Sequence, residues 1–232
     1  MAGPSTNKKI AGVGAYVFVV LLVDALAATG ARWRLDVGVV DFTVNWSVFL
    51  WRGDGSLSQF DFFKFVFWLV IPATFSFRTL DWGYFGFARW KRADVPLLIA
   101  MGAVGLACVL AILFIPQLRE YYHSRADASW SEKLAALRQM ALWNISWLPG
   151  WEFLHRYFLL RPFVERWPKW GWVVVPVSEA LYHLQKDPIE MAAMFVAGIV
   201  FTLWTVARKN LMLPLIVHAA VEVGLAVFLV LV

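Results

Sequence analysis

Long apolar runs alternate with short charged connectors along this chain. Ile10 to about Thr29, Phe60 to Phe77, Pro96 to Ile115 and Ala141 to Leu160 are four such runs. Gly171 to about Gln185, Glu190 to Ala207 and Leu211 to the end are three more. Each approaches the roughly 20 apolar residues that cross a bilayer as a helix. The pattern therefore predicts an all-α, polytopic transmembrane helix bundle of about seven spans. Val37 to Trp51 is apolar and aromatic but short and polar for a span, so it reads as interfacial or re-entrant. In the mixed-charge stretch 117–140, Leu134, Leu137 and Met140 recur at helical spacing, which predicts an amphipathic surface helix.

Composition strengthens the membrane reading. The 232 residues are 61% hydrophobic, 17% aromatic and 16% charged, against about 25% charged in an average soluble domain. Mean hydropathy is +0.65. The first run follows Lys8-Lys9 and could be a secretory signal, but its length and the spans after it favour a retained anchor. Lone Cys108 sits inside a span, so no disulfide framework is expected. The 14 Trp read mainly as interfacial anchors, with Trp167, Trp170 and Trp172 forming a belt.

A net charge of +5 would suggest nucleic acid in a soluble chain. Here the basic residues sit between apolar runs and read as topology, with no nucleic-acid partner. Lys8, Lys9, Arg78, Arg89, Lys91, Arg92, Arg161, Arg166, Lys169, Arg208 and Lys209 crowd short connectors on one side, 11 of the 21 basic residues. That bias predicts a cytoplasmic N-terminus in the plasma or inner membrane.

Three helical pairs carry the candidate chemistry. Glu152/Arg156, Glu179/His183 and His218/Glu222 are each spaced i to i+4, which puts each pair on one helix face. Counting the rise from the inner surface puts Glu152, His183, His218 and Glu222 roughly 10 to 18 Å deep. Ionisable groups at such depth are costly, face the bundle interior and are functional candidates. The expectation is one water-accessible cavity bounded by Glu152, His183, His218 and Glu222. Arg156, which cannot lose its proton, is expected to pair with Glu152 or Glu222. Asp24 and Lys64 are expected to snorkel or pair. His155 reads as packing or pocket lining, His123 as a loop residue, and Asn144-Ile145-Ser146 as a glycosylation signal discounted by its position in a span.

Trp151-Glu152-Phe153-Leu154-His155-Arg156, Glu179-Ala180-Leu181-Tyr182-His183 and His218-Ala219-Ala220-Val221-Glu222 resemble, in order, the three motifs of the CPBP (CAAX prenyl protease and bacteriocin-processing, or ABI) family of intramembrane endopeptidases. Gly83-Tyr84-Phe85-Gly86-Phe87-Ala88-Arg89 resembles the segment that precedes the family core. The resemblance covers residues 83–232, leaving 1–82 as an N-terminal transmembrane addition. It implies glutamic-type cleavage of a membrane-associated protein or peptide substrate. A carboxylate/imidazole pair activates water, and the second His with its i+4 partner stabilises the oxyanion. The departures are Trp151 at the family's first Glu, Glu179 at the Phe before the His, and Glu222 at the final Asn or Asp. The base is then Glu152 or Glu179, or the chain is inactive.

No cofactor is expected on this reading. A zinc shell of Glu152, His183, His218 and Glu222 is the metal-dependent alternative, ranked lower for want of a His-Glu-x-x-His run. A catalytically inactive membrane binding protein is the other rival, supported by Trp151. A proton-coupled transporter is disfavoured because no internal repeat is visible.

Overall fold

A computed structural model describes residues 4–28, 35–36, 41–42, 60–122, 127–185 and 188–231. The stretch 37–51, but for residues 41–42, and His123 lie outside the described residues. Helix α1 spans Pro4–Ala28, and Leu35–Asp36 (β1) pairs antiparallel with Asp41–Phe42 (β2). The helical run α2, Phe62–Thr79, starts at Asp61, whose carboxylate accepts from the Lys64 N–H. Then come α3 (Asp94–Ala111) and the short α4 (Pro116–Tyr121). Helix α5 (Trp130–Phe153) runs without a break through a π-helical turn, Leu154–Leu159, into α6 (Leu160–Arg166). The last three helices are α7 (Val174–Tyr182), α8 (Pro188–Arg208) and α9 (Met212–Leu231).

The protein is an integral membrane protein. Helices α2, α3, α8 and α9 are long and apolar enough to cross a bilayer. The other expected spans are present as helices but differ in detail. The predicted surface helix near 134–140 is the first half of α5, not a separate element. Its start is written locally: the Ser129 hydroxyl accepts from the Glu132 N–H while Glu132 accepts from the Ser129 N–H, a capping box. The fifth run holds only the nine residues of α7, flanked by 3-10 turns at Gly171–Val173 and His183–Gln185. Fifteen helical residues rise only about 22 Å, less than the hydrocarbon thickness of about 30 Å.

Water exclusion does not drive helices together inside lipid, so close packing and polar contacts must. A Cβ on Gly105 of α3 would collide with Val221 of α9, so this crossing needs its glycine. The buried core joins Val17 and Leu21 of α1 to Trp68 of α2, then to Trp151, Leu154 and Leu160, and to Val175 of α7. At one end, Asn210 ties three segments together. Its amide donates to the Gly83 and Gly86 carbonyls, and its oxygen accepts from the Trp90 indole and from the Met212 N–H that starts α9.

Candidate active site

Glu152 and Arg156 stand on adjacent turns of the α5–α6 run, and Arg156 falls within the π-helical turn. Such turns widen the backbone locally and recur at functional sites. Pro149, inside α5, has no N–H to give the preceding turn. Arg156 Nη1 donates to Glu152 Oε2 at 2.7 Å. The same nitrogen lies 2.8 Å from Glu179 Oε1, and Nη2 donates to Glu179 Oε2 at 3.2 Å. All three side chains are fully buried, and the guanidinium also covers the Phe201 ring. The spacing pointed to Glu152 or Glu222 as the partner of Arg156; the structure pairs it with Glu152 and with Glu179 of α7. A Cβ on Gly198 of α8 would collide with Glu179 Oε2, so the glycine leaves the space that this carboxylate fills.

Glu152 uses its second oxygen on α9. His218 Nδ1 lies 2.9 Å from Glu152 Oε1. A carboxylate oxygen accepts, so Nδ1 is the donor in this contact and Nε2 is left facing away from Glu152. That Nε2 faces Glu222 Oε1 at 4.0 Å, on the more open side of the group. The Trp147 ring meets His218 edge-on at 5.4 Å and fixes its plane.

His183 joins a neighbouring cluster. Its Nδ1 donates to the Glu179 carbonyl at 2.7 Å, and its Nε2 faces Glu190 Oε1 at 3.9 Å. Glu190 accepts from the Tyr122 hydroxyl at 3.0 Å. The His183 ring meets the edge of Trp151 at 5.6 Å. Trp151 is buried and also packs on Trp68, His155 and Tyr182, filling the position where the resemblance expects a carboxylate. Thus Glu152 meets the imidazole of His218, while His183 faces Glu190 and touches the Glu179 carbonyl and Trp151.

His155 is fully buried between the Trp151 carbonyl at 3.1 Å and the Ser178 hydroxyl at 3.3 Å, as a packing residue would be. Asp24 and Lys64 pair within the bundle, Lys64 with Asp24 at 3.7 Å and Asp61 at 3.0 Å. Glu190, Tyr122 and Ser178 escaped the sequence reading. Glu190 belongs to α8 and His183 to the 3-10 turn His183–Gln185, so helical periodicity within one element does not relate them. Among the described residues, no group of three or more His, Cys, Asp and Glu side chains is arranged to hold a metal ion.

Residues 135–224 match the family of type II CAAX prenyl endopeptidase Rce1-like proteins. That segment contains Glu152, Arg156, Glu179, His183, His218 and Glu222. No curated protein and no solved structure matches the chain.

Proposed function

We propose that this membrane protein, whose residues 135–224 match the Rce1-like CAAX-type intramembrane endopeptidases, cleaves a membrane-associated protein or peptide by metal-free activation of water on a glutamate–histidine pair. The observation that supports this reading most is the chain Arg156–Glu152–His218, with contacts of 2.7 and 2.9 Å across two helices. Arg156 orients Glu152 through the first of these contacts. Glu152 in turn holds the His218 proton on Nδ1, leaving Nε2 as the general base. Water beside Nε2 and Glu222 gives its proton to Nε2, the hydroxide attacks the scissile carbonyl, and His218 returns the proton to the leaving nitrogen. Glu179 shares the guanidinium and keeps it between two carboxylates, so it positions the chain, and His183 braces the Glu179 carbonyl. The concentration of basic residues in short connectors supports a cytoplasmic N-terminus in the plasma or inner membrane.

A second reading, an inactive binding protein, is favoured by one observation, the buried Trp151 ring at the first family carboxylate. One experiment separates the two. New protein N-termini are compared between membranes containing wild type and membranes containing Glu152→Gln at equal accumulation. Termini present only with wild type support the protease, and a chelator added to the same membranes tests metal dependence. An identical set of termini would leave only the binding protein.

A further inference from the structure

A cavity of about 730 Å³ lies away from the Glu152–His218 pair, between α1, the end of α2 and α6. That volume suits a drug-sized or lipid-sized ligand, for which sites run to roughly 300–1,000 Å³. Its lining is graded. Arg161 gathers Thr79 and Glu165 about itself, with Lys9 the other charged lining residue, while Val13, Tyr16, Phe75 and Phe158 are among the cavity's apolar and aromatic lining. Lys9 and Tyr16 are seven residues apart on α1, so the apolar floor lies about 10 Å deeper than the charged mouth. This polarity is that of an amphiphile with its head at the interface. Arg161 donates to the Thr79 carbonyl at 3.0 Å and to the Tyr157 hydroxyl, which fixes the guanidinium at the mouth. Glu165 is 3.8 Å from Arg161 and largely exposed. Two cations against one carboxylate leave the mouth net positive.

We propose that this cavity holds an anionic phospholipid, with its phosphate between Lys9 and Arg161 and an acyl chain against Tyr16, Phe75 and Phe158. The lipid fills the seam between α1 and the family-matched helices. Its function there is to fix α1 on the rest of the bundle, independently of whether the protein is a protease. Charge complementarity at the mouth selects the anionic headgroup, and the apolar floor selects the chain.

Gly12 gives a clean way to close the site, because a Cβ built there meets nothing within 4 Å while the residue lines the cavity. The test is native mass spectrometry of the full-length protein in detergent, titrated with phosphatidylglycerol, phosphatidylcholine of the same chains, and oleate. Wild type is expected to retain phosphatidylglycerol at least tenfold better than either other probe. Gly12→Leu, which fills the space, is expected to abolish that retention with an unchanged melting temperature in lipid-free detergent. Lys9→Gln, on an exposed side chain that cannot threaten the fold, is expected to weaken it several-fold, and Glu165→Gln to strengthen it. Equal retention by Gly12→Leu and wild type would overturn the location. Equal retention of phosphatidylcholine or oleate by wild type would overturn the anionic phospholipid.

Discussion

Two guanidinium–carboxylate groups can be compared directly, half-buried Arg208 with buried Asp94, and fully buried Arg156 with Glu152 and Glu179. Arg208 grips both oxygens of Asp94 through Nε and Nη2, at 2.9 to 3.1 Å. The same carboxylate accepts from the Trp204 indole at 2.9 Å and from the Lys91 N–H at 2.6 Å. One charge meets one charge, and the donors saturate the acceptor. That is how a structural tie between helix ends is built, here the start of α3 and the end of α8. Around Arg156 two carboxylates share one guanidinium, and its Nε has no hydrogen-bond partner. Counted as groups, carboxyls outnumber the guanidinium two to one, and His218 reaches into them. A buried cluster with surplus charge needs a proton or a cationic partner. The difference teaches where to look for chemistry: in the group whose ionisable members do not pair one to one, rather than the one with the most hydrogen bonds.

The sharpest break of this contrast is Glu152→Gln. Gln keeps the shape and can still accept from Arg156, but it no longer holds a neutralising charge beside His218. Cleavage is expected to fall by about 10²- to 10⁴-fold, the range of a lost general-acid–base system. Accumulation of the variant should stay near wild type. Quantified substrate processing per molecule in membranes checks it, and unchanged processing would remove Glu152 from the mechanism.

Arg156→Ala should act on the fold first. It strands two fully buried carboxylates, and breaking a buried pair typically costs about 3–5 kcal/mol. Arg156→Lys supplies the charge without the planar fork that reaches Glu152 and Glu179 together, so it should recover accumulation more than activity. Thermal melting in detergent and cleavage per folded molecule separate the two effects. Activity restored fully by Lys would show that charge alone, not orientation of Glu152, is what matters.

Arg208→Ala tests the other side of the comparison. Asp94 keeps its Trp204 and Lys91 donors, so the loss should be nearer about 1–3 kcal/mol, the cost of one unmade charged contact. The melting temperature should drop while cleavage per folded molecule holds. A matching drop in specific activity would erase the distinction between the two groups.

What the residues alone revealed follows the range of the interactions involved. Glu152/Arg156 was legible because four residues on one helix fix the geometry locally, and the contact survives the π-helical turn. That Glu152 would meet His218 and that Glu179 would meet Arg156 depended on how α5, α7 and α9 cross. The room for Glu179 turns on Gly198 of α8, whose role shows only when the facing side chain is known. The i, i+4 pairs were thus visible one helix at a time, and their assembly was not. The span pattern was legible because bilayer thickness sets a length that the chain must meet. It over-read α7, since apolar composition does not distinguish a full span from a short helix buried in the bundle. The Ser129/Glu132 box was written in the sequence and marks where α5 begins.

The smallest effect is expected at a third ion pair, outside the spans, where water screens what the bundle interior does not. Asp81 meets Arg89 Nη2 through both oxygens, at 2.9 and 3.0 Å, and both side chains are 34% exposed. Burial alone would push the Asp81 carboxyl up, but the Arg89 hydrogen bonds, the Gly83 N–H and the nearby guanidinium charges outweigh it and leave it below its ordinary value. A carboxyl lowered in the folded state adds stability above its unfolded pKa of about 3.9. That stability is lost as pH falls through the folded value. Asp81→Asn should therefore cost only about 0.2–1 kcal/mol at pH 7, the range of screened surface pairs. The gap between variant and wild type should close as pH drops below about 4. Melting temperatures of both proteins across that range check the sign. A gap that widened in acid would mean the Asp81 carboxyl is raised rather than lowered, and the exposed pair would then behave like a buried one.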